Sequence, residues 1–134
     1  MRSILVAAGL LSIAAAPSSS QAPAGEGVLC TMAFVAGSAE AGRRCHAGEQ
    51  PAAQAMLDRA ERKLDAYVVK NGPTTRQQLA RLKRQMANVG APVFNCAEAE
   101  PIYRALVKSG AAFLVQEIDE MLLRPGKPTL GECV

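Results

Sequence analysis

PAAQAMLDRAERKLDAYVVKNGP, residues 51–73, is a helix written out from start to stop. Pro51 stands where a helix needs no backbone N–H. Ala53, Met56, Leu57, Ala60, Leu64, Tyr67 and Val68 recur at offsets of three and four, which places them on one stripe. Asp58 and Arg62 are spaced as an i,i+4 ion pair on the other side. Asn71-Gly72-Pro73 then ends the helix, because a helix stops readily at Gly and cannot continue easily into Pro.

On either side the same grammar repeats. Thr74 with Gln77 reads as a capping box that opens a third helix, with an apolar seam of Leu79, Leu82, Met86 and Val89 and a stop at Gly90. Asn95-Cys96-Ala97-Glu98 is a further helix start, followed by a helix from Pro101 to Lys108. After a bend at Ser109-Gly110, a last helix runs from Ala111 to Leu123, with Leu114, Val115, Ile118, Met121 and Leu122 on one face and a Glu120–Arg124 pair. Before residue 51, Val28–Ala36 reads as a short buried helix ended by Gly37 and Ser38, and residues 39–49 as a loop. No β-hairpin signature and no internal repeat occur. The expected fold is all-α, a small bundle of four or five helices with an irregular C-terminal tail.

The whole chain has 134 residues, 49% hydrophobic, 20% charged and only 4% aromatic, with a formal net charge of +3. That suits one domain, and it is too apolar for a disordered chain. Fifteen basic against twelve acidic residues is too mild a balance for a nucleic-acid binder. The first residues read as an export signal: Arg2 supplies the charge, Ile4–Ala16 the apolar core and Ala22-Pro23-Ala24 the small residues for cleavage. The core is too short to span a bilayer. The expected organisation is a signal peptide at 1–24 and a single helical domain at 25–134. The expected location is the periplasm or the secreted space, with no transmembrane segment after processing.

Four cysteines survive that processing: Cys30, Cys45, Cys96 and Cys133. An even count in an exported chain predicts two disulfides. Short loops close more easily, which favours Cys30–Cys45 with Cys96–Cys133. The main rival is Cys45–Cys96 with Cys30–Cys133.

The search for chemistry yields mostly exclusions. His46 is the single histidine, and its neighbour Cys45 is expected to be oxidised, so a Cys–His nucleophile is not supported. Beyond the signal, serine occurs only at 38 and 109, both read as breaks. His46 and Glu49 could share one turn, but a structural zinc site wants four Cys or His ligands, and the expected state of His46 is a solvated loop residue. The C-x-x-C-H pattern of covalent haem attachment is missing, since Gly42 stands where its first cysteine would be. The acidic groups Glu98/Glu100 and Glu117/Asp119/Glu120 read as solvated faces. No catalytic residue, metal or cofactor is expected.

One charge bias remains. Arg76, Arg81, Lys83 and Arg84 fall in a stretch with no acidic residue between Gly72 and Ala97. They form either a solubilising helix face or a contact for anionic lipid, polysaccharide or an acidic partner. The stretch has no aromatic residue, which counts against single-stranded nucleic acid. No motif assigns a family. As an architecture alone, the chain resembles small exported helical proteins of the bacterial envelope, such as lysozyme-inhibitor-like proteins, acid-stress chaperones and periplasmic immunity proteins. The reading is a non-enzymatic binding or accessory protein that presents a disulfide-locked surface to a protein partner. An envelope-surface binder using the basic helix is the first alternative, and an enzyme using a carboxylate pair the second.

Overall fold

The computed structural model describes residues 22–89 and 95–132, and of 85–89 the backbone alone. The expected export signal lies outside the described residues as far as Gln21, as do the expected stop at Gly90 and Cys133. The chain is all-helical, with no strand among the described residues. Its helices are α1 (Val28–Cys45), α2 (Pro51–Asn71), α3 (Arg76–Val89), α4 (Cys96–Ser109) and α5 (Ala111–Leu122).

α2 is the central helix and starts on Pro51 as its sequence requires. Its buried stripe is Leu57, Ala60, Leu64, Tyr67 and Val68, while Met56 is left partly exposed. α1 and α5 pack on α2, α4 packs on α1 and turns at Gly110 into α5, and α3 rests chiefly on α2. The core between them is aliphatic, with Val28, Val35, Leu57, Leu64 and Ile118 fully buried. Tyr103 and Leu106 enter it from α4, and Leu79 from α3.

α1 departs most from its sequence reading. It runs unbroken through Gly37, Ser38 and Gly42 to Cys45, where a loop was expected from residue 39. Ala33 and Ala36 before Gly37, and Ala39 and Ala41 between Gly37 and Gly42, supply helix propensity. The two glycines also meet different surroundings. Gly37 is exposed, with open space where a Cβ would stand. Gly42 is buried, and a Cβ there would lie 1.9 Å from Gln54 Oε1 and 3.0 Å from Tyr103 Cε2. Gly42 is therefore a point at which side chains of α2 and α4 press closely on α1.

The longer helix overturns the favoured disulfide pairing. Cys30 and Cys45 both lie in α1, and fifteen helical residues separate them by about 22 Å. That distance is far beyond disulfide reach. Cys45 is instead bonded to Cys96, with a Cα–Cα distance of 5.7 Å, tying the end of α1 to the start of α4. Of the expected two-bridge framework, this bridge lies wholly within the described residues, and no described cysteine is free.

Two start signals hold with small corrections. The capping box of α3 is one residue later than read: Thr75 N donates to Gln78 Oε1 at 2.8 Å and Gln78 N to Thr75 Oγ1 at 3.2 Å. Asn95 caps α4 by accepting from Ala97 N at 3.0 Å, and the helix continues through Pro101 without the expected break. The C-terminal tail folds back on the start of α1. Leu29 N donates to Thr129 O at 3.1 Å and Thr129 N to Gly25 O at 3.0 Å. Gly27 sits beneath that tail at φ +76°, and a Cβ there would meet Glu132 O at 2.0 Å, so both its conformation and its contact demand glycine.

Candidate functional site

The Cys45–Cys96 bridge places the next residue, His46, over the face of α4. Its backbone N–H closes α1 by donating to Gly42 O at 3.2 Å. The imidazole is buried, 6% exposed, and so is not the solvated loop residue that the sequence suggested. It stacks on Tyr103 with ring centroids 4.5 Å apart and the planes within 2° of parallel. The burial follows from two events that local sequence does not show: α1 extends to Cys45, and Cys45 is bonded to α4.

Two carboxylates bracket the ring. Nδ1 lies 3.1 Å from Glu49 Oε2, within hydrogen-bond geometry. Nε2 lies 2.7 Å from Glu100 Oε2, an ion-pair distance, but outside hydrogen-bond alignment. Glu100 also accepts from Arg104, and the Arg104 guanidinium holds its carboxyl below the usual glutamate range, with His46 adding to the effect. Tyr103 Oη is buried and has no protein hydrogen-bond partner. Burial, and then the nearby Glu49 carboxylate, push its phenol above the ordinary tyrosine value. The phenol is thus a protonated donor at neutral pH.

This cluster does not assemble a metal site. His46 turns its two nitrogens toward different carboxylates. No group of three or more His, Cys, Asp or Glu side chains among the described residues is placed to hold an ion.

The basic residues of α3 are not one group. Lys83 is drawn back onto α2, with Nζ 2.5 Å from Glu61 Oε1 and 2.8 Å from Asp65 Oδ2. Burial opposes its charge, but Asp65 and Glu61 outweigh that and hold its ammonium above the usual lysine value. Arg76, Arg81 and Arg84 are exposed and make no ion pair among the described residues. The α2 carboxylates also reach the other way. Asp58 does not pair with Arg62 as expected; its Oδ1 accepts from Arg43 Nη1 of α1 at 2.8 Å. Glu61 Oε2 lies 3.4 Å from the same nitrogen. Glu120 accepts from Gln116 rather than from Arg124, whose Nη2 donates to Ala22 O at 3.0 Å. Asp119 is paired with Lys63 across the α2–α5 contact.

A third feature is apolar. Between α1 and α4 lies a groove of about 240 Å³, lined by Ala33, Phe34, Gly37, Ser38, Ala99 and Ile102. Ile102 is 53% exposed beside it. Sequence periodicity did not reveal it, because the part of its α1 wall from Gly37 onward was read as a stop and a loop. No family model matches the chain, and no curated protein or solved structure matches it.

Proposed function

We propose that the chain is a non-enzymatic binding protein of the periplasm or secreted space, and that it presents the α1–α4 face to a protein partner. The supporting observation is the groove itself. Its walls are apolar, with Ile102 exposed at its edge and Phe34 only partly packed on the core. An exposed apolar concavity between two fixed helices is a common form of protein recognition surface. The Cys45–Cys96 bridge fixes the spacing of those two helices, so little conformational freedom is lost when a partner docks.

Export fits a second bridge, Cys30–Cys133. Cys30 is disulfide-bonded, Cys45 and Cys96 hold each other, and the tail through Glu132 lies against the residues just before Cys30. Peptide mapping of the unreduced protein should recover these two pairs and no others.

The groove is tested with Gly37→Arg and Ile102→Asp on the oxidised mature protein. Gly37 has open space around it, so arginine there fills the mouth of the groove while improving helix propensity. The native protein should retain a partner from envelope extract, and both variants should lose it. Equal retention by all three forms would discard the reading.

The basic helix supports a second reading, contact with an anionic envelope surface, through Arg76, Arg81 and Arg84 without Lys83. Binding of that kind weakens steeply as salt rises, whereas binding in the apolar groove does not.

A further inference from the structure

Tyr103 lines the α1–α4 groove and also a second cleft, of about 290 Å³, between the α1–α2 turn and α4. Its lining includes His46, Glu49, Tyr103, Arg104, Val107 and Lys108. We propose that this cleft binds a small zwitterion of α-amino-acid type, with its carboxylate toward Lys108 and Arg104 and its ammonium on Glu49.

Three observations converge on that class of ligand. The first is Tyr103 Oη, a buried hydroxyl with no protein partner, on a residue only 3% exposed. A buried polar group left unpaired is costly and rare, and a ligand acceptor would satisfy it. Glu49, Tyr103 and Arg104 all line the same opening.

The second observation is the charge pattern. Glu49 is 54% exposed at the side chain, leaving oxygen surface beyond its contact with His46. Lys108 lies one turn beyond Arg104 on α4 and makes no ion pair among the described residues. A simple anion would meet repulsion from Glu49, and a simple amine would meet it from Lys108 and Arg104. A molecule carrying both charges meets neither, which is how a mixed-sign site discriminates.

The third observation is rigidity and size. The Tyr103 ring is held by its stack on His46, and His46 follows directly on the bridged Cys45. The volume lies at the small end of ligand pockets. Val107 offers the cleft an apolar wall, which suits an aliphatic side chain. The proposal does not depend on what occupies the α1–α4 groove.

The test is calorimetric or NMR titration of the oxidised mature protein with L-valine, N-acetyl-L-valine and L-valinamide. L-Valine should bind saturably, and each singly charged derivative should bind about tenfold more weakly or worse, the worth of a hydrogen bond to a charged group. Tyr103→Phe keeps the ring stack but removes the orphan hydroxyl. It should leave the melting temperature equal or higher while weakening valine binding about tenfold, a split that a purely structural role would not give. Lys108→Gln, at an exposed position, should weaken valine binding without changing the melt, and it keeps the test open if the tyrosine variant folds poorly. No saturable binding of valine, equal binding of the three compounds, or unchanged affinity in Lys108→Gln would overturn the proposal.

Discussion

α3 and α4 are both fourteen residues long, yet the molecule holds them in different ways. α4 is anchored at its first residue by the Cys45–Cys96 bridge, and it buries Tyr103 and Leu106. It also turns directly into α5 at Gly110. Among its described side chains α3 buries only Leu79, leaves Leu82 46% exposed, and is otherwise tied by Lys83 to two carboxylates. The contrast shows that helical pattern and anchoring are separate properties. In a core with few aromatic residues, anchoring comes from a covalent bond, one aromatic stack and ion pairs. The α1–α4 end is therefore expected to open only with the whole domain, while α3 opens locally and shows the faster amide hydrogen exchange.

The strongest challenge to that contrast removes the bridge. Cys45→Ser with Cys96→Ser frees a loop of sequence separation 51. Chain-entropy arguments give about 4 kcal/mol for a loop of that length. For a domain of this size that corresponds to a fall in melting temperature of roughly 15 °C or more. Exchange protection of α4 should drop toward that of α3. If thermal melts of the variant and the native protein coincide, α4 is held by packing alone and the contrast fails.

A smaller effect probes the same end without touching the covalent framework. Gly42→Ala places a methyl against Gln54 Oε1 and Tyr103 Cε2. Gln54 cannot swing away freely, because its Nε2 donates to Ala39 O at 3.1 Å and Asp58 Oδ1 at 2.9 Å. The helix gains propensity from alanine but loses about 1–3 kcal/mol to overpacking. The same change at Gly37 meets open space and should stabilise the protein. Denaturant midpoints of the two variants should therefore move in opposite directions.

These two glycines also mark where the sequence stopped being legible. The helices at 51–71, 76–89 and 111–122 were visible because each carries an apolar stripe and a stop or start signal. Of α1 only the first half was visible, because Gly37, Ser38 and Gly42 resemble terminators in any single sequence. What keeps the helix going at Gly42 is close packing from residues 12 and 61 positions away, Gln54 and Tyr103. Losing the second half of α1 also put the Cys45–Cys96 pairing second to Cys30–Cys45 and hid the burial of His46. The closeness of His46 and Glu49 was legible in their spacing, but the stack of Tyr103 on His46 was not, because only tertiary folding brings α4 to the end of α1. The capping box at α3 was misplaced for a smaller reason. Thr74-Thr75-Arg76-Gln77-Gln78 contains two overlapping boxes of identical spacing, and nothing local chooses between them.

At the α3 edge the expected effects are weaker and depend on solvent. Lys83→Met removes the pairs with Glu61 and Asp65 but leaves Glu61 near Arg43. The loss should be about 1 kcal/mol or less, and added salt should shrink it. The network also has two pH edges. Glu40 is partly buried, which opposes its charge, but Arg43 and Arg44 hold its carboxyl below the ordinary 4.5. Its contribution is complete above that value and disappears as pH falls through the depressed folded value. Lys83 is raised above 10.5, so its contribution is complete below that value and disappears as pH rises through the folded one. Stability measured against pH should fall at both extremes, and Lys83→Met should lessen the alkaline fall, leaving the part due to the raised Tyr103 phenol and the acid fall unchanged.

The smallest expected effect is the sharpest test of how α3 is held. Arg76, Arg81 and Arg84 are exposed and make no ion pair among the described residues, so nothing in the packing depends on them. Arginine and glutamine differ little in helix propensity. Replacing all three with glutamine should therefore change stability by no more than about 0.5 kcal/mol, while Lys83→Met on the same helix produces a measurable loss. Retention of a groove partner should be unchanged, because that face lies on α1 and α4. A triple variant that keeps its melt but loses binding, together with the salt dependence of that binding, would move the recognition surface from the clamped end of the molecule to α3. The helix least anchored in the fold would then be the one that carries function.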